Sequence, residues 1–262
     1  MNSKMDVSSF VKAPKNKKEL SWWRRKYYNG IVRLVEIYNT IIKKPVLNPT
    51  GSPEYDEVLR RAQNRTDIND HLPTIFEEAL KVQPNLIVEL GVGPGESTFA
   101  LESVAKLSKA RFISVDIRES VKNASSWPEW IFVQQDDIAF ATSFEEWARN
   151  QGIDPRIDVL FIDTSHRYEH TVQEIYSWFP FLSSKAVVLF HDTNVKPVYK
   201  RQDGSIGLAY DIRRGVIRAI EEFVGVAFQE QKDFTYLKNN WFITHHATCN
   251  GLTILKKIGT SL

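Results

Sequence analysis

The sequence predicts an α/β fold built on a doubly wound, mostly parallel sheet, with an antiparallel C-terminal hairpin strand and an N-terminal helical cap. Three observations carry this. Between residues 86 and 191, short apolar runs alternate with amphipathic stretches of helical period, the rhythm of βαβ units. The runs are continuously apolar, as strands covered on both faces must be. After Asn194 the rhythm changes, and two β-rich runs at 241–245 and 251–255 are joined through Cys249-Asn250-Gly251; Asn-Gly is a strong hairpin signal.

Taken in order, residues 1–19 read as a flexible basic tail, 20–65 as the helical cap and 66–262 as the main domain. In the cap, Trp22, Trp23, Tyr27, Tyr28, Ile31, Leu34, Ile37, Tyr38 and Ile41 recur at spacings of mostly three and four. That is an amphipathic helix, interrupted at Gly30 and expected to dock on the domain. Pro45, Pro49, Gly51 and Pro53 mark a turn-rich crossing. Helices are expected at 54–65 and 74–82, the second ended by Pro84-Asn85. Strands follow at 86–90, 111–115, 130–133, 157–162 and 186–190, with helices at 98–108, 144–151 and 168–179 between them. A charged loop at 196–206 leads into a helix over about 208–224.

Composition bounds the function. The chain has 262 residues, 42% hydrophobic and 25% charged, as an ordinary globular protein does. Its single cysteine, Cys249, excludes an intrachain disulfide framework and fits a reducing compartment. No apolar run approaches the roughly 18 residues of a membrane span. The N-terminus is polar and lacks the apolar core of a secretory signal. A cytoplasmic location is the expectation. The net charge of +2 hides an asymmetry: residues 1–46 hold 11 Lys and Arg against 3 acids, and the remainder is acidic. Such a segment is a solvated arm or a weak contact for a membrane surface. It is too diffuse to argue for nucleic acid.

The chemistry gathers at strand ends. The run Leu86-Ile87-Val88-Glu89-Leu90 opens into Gly91-Val92-Gly93-Pro94-Gly95 and then Ser97-Thr98. Glycines let the chain turn sharply and let a ligand approach the backbone. Successive strands end at Gly91, Asp116, Asp136, Asp163 and His191-Asp192, and ligands of parallel sheets bind beyond those ends. Asp116 lies 21 residues after Gly95, where an acid can accept ribose hydroxyls. A dinucleotide fingerprint would place its third glycine one position later, where Glu96 stands.

The run Glu89-Leu90-Gly91-Val92-Gly93-Pro94-Gly95 resembles motif I of the class I S-adenosylmethionine-dependent methyltransferases, whose fold is Rossmann-like. Phe161-Ile162-Asp163-Thr164-Ser165-His166-Arg167-Tyr168-Glu169 and Phe190-His191-Asp192-Thr193 resemble the small-molecule O-methyltransferases of the cephalosporin-biosynthesis and macrocin type. The resemblance covers about residues 66–257. It implies that Gly91, Gly93 and Gly95 pass under the methionine part of the cofactor, with Glu89 and Ser97 among the cofactor residues. Asp116 would hold the ribose, and Asp136, with Asp137 as second choice, the adenine. Several members bind a divalent cation such as Mg²⁺, and the matching positions here are Asp163, His191 and Asp192. His191 departs from the pattern, since imidazole suits Zn, Fe or Ni better than Mg.

Two readings of the chemistry stay open. In one, the metal orients an acceptor hydroxyl and lowers its pKa. In the other there is no metal, and His166 or His191 is the general base. Asp163, His166 and His191 are the catalytic candidates. The resemblance implies methyl transfer to a hydroxyl of a small molecule or sugar. The rivals are a nicotinamide-dependent oxidoreductase and a binding protein that keeps the fold without catalysis. Exposed aromatic residues on the cap helix also make a homo-oligomer an expectation. His71 is left between the cofactor mouth and a capping role, and His170 is expected on an exposed helix face.

Overall fold

The computed structural model describes residues 22–209 and 214–258, with the backbone alone for residues 22–27. The parallel strands are β1 (Leu86–Leu90), β2 (Arg111–Asp116), β3 (Trp130–Gln134), β4 (Ile157–Ile162) and β5 (Leu182–His191). A small hairpin, β6 (Val198–Lys200) and β7 (Ile206–Leu208), precedes β8 (Phe234–Lys238), β9 (Trp241–His246) and β10 (Leu252–Lys257). Eight strands form one sheet in the order β3-β2-β1-β4-β5-β10-β9-β8. The first five are mutually parallel, and β10 runs antiparallel to both β5 and β9. The expected hairpin strand is therefore inserted beside β5 rather than left at the edge. The edge is β8, which the sequence reading did not anticipate. It turns into β9 through Asn239 and Asn240, both at positive φ (50° and 63°), as a two-residue hairpin turn requires.

The helices are α1 (Trp22–Ile41), α2 (Pro53–Ala62), α3 (Leu72–Lys81), α4 (Glu96–Ser108), α5 (Asp137–Ala141), α6 (Phe144–Asn150), α7 (Tyr168–Trp178) and α8 (Gly215–Val224). They cover both faces of the sheet, and side-chain alternation along each strand divides the core in two. Leu86, Val88 and Leu90 face one cluster with Phe140, Phe144, Trp178 and Ile220. Ile87 faces the other, with Val58, Ile75, Phe76 and Leu101. Every core strand residue named here is 1% exposed or less, which is why these runs carry no polar alternation.

Three expectations change. Helix α1 runs through Gly30 without a break; a lone glycine costs a helix about 1 kcal/mol and does not end it. It docks by a different face than its apolar stripe. Asn39 donates to the carbonyl of Ile206 and accepts from its N–H, both at 2.8 Å, and Arg65 donates to the carbonyls of Asn39 and Ile42. These bonds fix the rotation, so Leu34, Ile37 and Ile41 are left exposed (67%, 55% and 71%). The loop at 196–206 is the β6–β7 hairpin, and the following helix begins at Gly215. The basic tail at 1–19 lies outside the described residues. No helix among the described residues is long and apolar enough to cross a membrane.

Candidate active site

The carboxyl ends of β1, β2 and β4 surround a cavity of about 370 Å³. The turn after β1 builds its floor. Gly91 has φ +84°, and a Cβ there would stand 2.1 Å from the carbonyl oxygen of Asp163. Only glycine therefore permits the approach by which the Asp163 N–H donates to the Leu90 carbonyl at 2.8 Å. Gly91, Gly93 and Pro94 line the cavity. Gly95 instead starts α4 in a left-handed conformation and packs against Ala124.

Asp116 ends β2 and lines the cavity. Its Oδ2 accepts from the Val92 N–H at 3.0 Å and its Oδ1 from the Arg118 N–H at 2.8 Å. The Arg118 guanidinium pairs with it at 2.8 Å. Burial works against the charge of Asp116, but these donors outweigh it and hold the carboxyl below its ordinary pKa. Asp136 caps α5, accepting from the Ala139 N–H at 2.9 Å. Asp137 follows it into the wall, and both line the cavity.

The other end of the cavity is lined by Asp163, Thr164, Ser165, His166 and Asp192. His191 is 1% exposed and stands behind Asp163 and Asp192. Its Nδ1 lies 3.4 Å from Asp163 Oδ1 and 3.3 Å from Asp192 Oδ1. Burial disfavours charge on this ring, yet Asp192 and Asp163 override it and push its pKa up to about 10. His166 Nδ1 approaches Asp192 Oδ2 at 3.2 Å. His166 and Asp192 both adopt positive φ, 55° and 57°, a conformation that costs of order 1 kcal/mol or more in a residue with a Cβ. Gly215 makes room for the His166 segment, since a Cβ there would stand 2.2 Å from the His166 carbonyl.

The residues fit a divalent cation at Asp163, His191 and Asp192. One ligand atom from each lies within 4.8 Å of the others. Donors held about 2.1 Å from one ion are themselves about 3.0–3.4 Å apart, close to the separations above. Asp192 Oδ1 is also buried without a hydrogen-bond partner.

Three cofactor candidates, Glu89, Gly95 and Ser97, do not line the cavity. Glu89 is 0% exposed and shares the face of β1 with Ile87, against α4. Its Oε1 accepts from Ser97 at 2.6 Å and Thr98 at 3.1 Å, and its Oε2 from Ser114 at 2.6 Å and Thr98 at 2.9 Å. Burial raises its pKa to about 7, against these three hydroxyls. Ser97 gives its hydroxyl hydrogen to Glu89. His71 is likewise interior, its Nε2 3.0 Å from the Thr248 carbonyl. His170 is not on an outer face: it lines the cavity with its Nε2 3.1 Å from Asp137 Oδ1. Asp67, Gln135, Arg118, Thr164 and Ser165 also line the cavity without having been chosen as site residues from the sequence.

Residues 88–193 match the model of the family described as "Methyltransferase domain". The chain is 32% identical over 126 residues to the uncharacterized protein y4gI of Sinorhizobium fredii (strain NBRC 101917 / NGR234), covering 44% of this chain and spanning only 14% of that relative. The cofactor-bound structure of Rv0187 from MTB superposes with a TM-score of 0.50 at 11% identity, covering 85% of this chain and 97% of that one. The methyltransferase MycE from the mycinamycin biosynthetic pathway, in complex with Mg, SAH and mycinamycin VI, gives a TM-score of 0.49 at 14% identity, over 80% of this chain and 56% of that one. The glycine turn and the strand-end acids Asp116, Asp136, Asp163 and Asp192 all fall within residues 88–193, the two fifths of the chain that are similar to this methyltransferase-domain family.

Proposed function

We propose that this protein transfers a methyl group from S-adenosylmethionine to a hydroxyl oxygen of a small molecule or sugar. The observation that carries the reading is the two-ended cavity. The glycine turn, Asp116 and Asp136 line one part of it, and Asp163, His166 and Asp192 line another. The donor brings an electrophilic methyl group, and the chain's residues bind, orient and manage a proton. Asp116, held ionised by backbone and guanidinium donors, accepts ribose hydroxyls. Asp136 stands by the nucleobase end, with Asp137 beside it.

His166 faces the cavity and its ring is oriented by Asp192, so it is the base that takes the acceptor's proton. With no ion bound, His191 is buried and holds its proton to about pH 10 between Asp163 and Asp192, which suits it to positioning them; with an ion bound it gives up that proton and becomes a ligand. A divalent cation held by Asp163, His191 and Asp192 would supply the positive charge that lowers the acceptor's pKa. The cytoplasm is the compartment we assign, from the lone, buried Cys249. The outward stripe of α1 supports self-association or a weak membrane-surface contact.

Calorimetric titration with S-adenosylhomocysteine, on wild type and Asp116→Ala, tests the reading. Binding in the micromolar range that the variant loses supports it. Binding of NAD(H) in its place returns the oxidoreductase. Cofactor binding with no turnover on any hydroxyl acceptor, with Mg²⁺ or in chelator, leaves a non-catalytic binding protein.

A further inference from the structure

A second group of side chains stands beside the nucleobase end of the cavity: Asp137 and His170 line it, and the buried Glu174 stands behind them. Asp137 opens α5, and His170 and Glu174 stand four residues apart within α7, so they share one helix face. One ligand atom from each of the three lies within 4.8 Å of the others. His170 Nε2 is 3.1 Å from Asp137 Oδ1 and 3.6 Å from Glu174 Oε1. Donors of a single ion with bonds of about 2.1 Å have much the same separation.

The two carboxylates are 6% and 0% exposed. Even so, Asp137 Oδ2 and Glu174 Oε2 have no hydrogen-bond partner. A buried acceptor left unmet is costly, and a buried charge more so. Among the described residues the only cationic group paired with either acid is His170. Asp136 adds a further negative charge near His170. The Thr164 hydroxyl donates to Glu174 Oε1, which leaves Oε2 free and fixes the carboxyl's orientation.

We propose that Asp137, His170 and Glu174 form a binding site for a divalent transition-metal cation, separate from the group at Asp163, His191 and Asp192. One imidazole and two carboxylates suit Mn²⁺ or Zn²⁺ better than Mg²⁺. An ion there places a positive charge between two buried carboxylates, each of which has an oxygen without a hydrogen-bond partner. It also ties the start of α5 to α7, bracing the wall that carries Asp136 and Asp137.

The test is Mn²⁺ titration calorimetry on the full chain in an Asp163→Asn/Asp192→Asn background, which removes the other group. We expect one equivalent bound in that background. Adding Glu174→Gln or His170→Gln weakens it at least tenfold, and Mn²⁺ raises the melting temperature of the background but not of the triple variants. Circular dichroism confirms folding, and the partly exposed His170→Gln carries the test if Glu174→Gln does not fold. No binding in the background, or equal binding in the triple variants, overturns the proposal and leaves Asp137 and Glu174 as a pair sharing one proton. Neither result depends on whether the Asp163 group holds a metal.

Discussion

Glu89 and the group around Asp163 are two sets of interior acids on one sheet, and the fold treats them oppositely. Every oxygen of Glu89 is met by a hydroxyl, from Ser97, Thr98 or Ser114, and its backbone sits in regular strand. At the rim, His166 Nδ1, His191 Nε2 and Asp192 Oδ1 are buried with no hydrogen-bond partner, and His166 and Asp192 hold positive φ. A fully satisfied polar group rigidifies a core, and a half-satisfied one is costly unless something completes it. The first is construction. The second is a place where the chain has left capacity for a ligand.

The largest effect expected from that contrast is at Asp163. Asp163→Asn keeps the shape and removes the charge, and we expect methyl transfer to fall by about 10³-fold. Thermal stability falls only modestly: the charged His191 loses one carboxylate partner but keeps Asp192 at 3.3 Å. Steady-state kinetics beside a melting curve checks both. A variant that stays active but melts early would erase the distinction between the two sets.

The next effect is a pH dependence at Glu89, with the opposite signature. Its pKa is raised from 4.5 to about 7 in the folded state, so the folded chain binds the proton more tightly than the unfolded one. The contribution to stability is full below pH 4.5 and is lost as pH rises through 7. A shift of that size corresponds to about 3 kcal/mol. Denaturant unfolding from pH 4.5 to 8 should show this decline in wild type, and Glu89→Gln should remove it. Parallel slopes in the two proteins would mean the carboxyl is ionised in the fold.

The architecture was legible because the parallel strands are apolar at nearly every core position, with Glu89, Ser114 and Asp158 as buried exceptions, a pattern little else produces. The acids at strand ends were legible for the same reason: the last apolar residue marks where the rim begins. What failed was assignment by motif neighbourhood. Glu89 and Ser97 lie within the glycine motif, yet the alternation of β1 already placed Glu89 with Ile87 and away from the ligand side. His170 and Glu174 were missed because α7 reads as an ordinary amphipathic helix, and no spacing in the sequence says that α5 brings Asp137 against it. The strand β8 had a signal, Asn239-Asn240 between two β-rich runs, that the reading passed over. Helix α1 shows the limit of periodicity. Its apolar stripe was plain, but two hydrogen bonds of Asn39 decided which face docks.

A smaller effect sharpens the comparison at the ligand. Asp116 is an interior acid with its donors in place that also lines the cavity, so it belongs to both classes. Asp116→Ala should weaken S-adenosylhomocysteine by about 10- to 100-fold, the loss of one or two hydrogen bonds to a charged acceptor. Its cost to folding is about 1–2 kcal/mol, because the buried Val92 N–H loses its acceptor while Arg118, which lines the cavity, can meet water.

The smallest effect is the most discriminating. Ser97 sits in the glycine motif but is 4% exposed and spends its hydroxyl on Glu89. Ser97→Ala removes one of three hydroxyl partners, and Thr98 remains to serve the same oxygen at 3.1 Å. We therefore expect a stability loss of about 1 kcal/mol with cofactor affinity unchanged within about twofold. Chemical denaturation and calorimetry on one preparation read both numbers. A tenfold drop in affinity at unchanged stability would move Ser97 back to the cofactor, and with it the claim that Glu89 and its hydroxyls are construction alone.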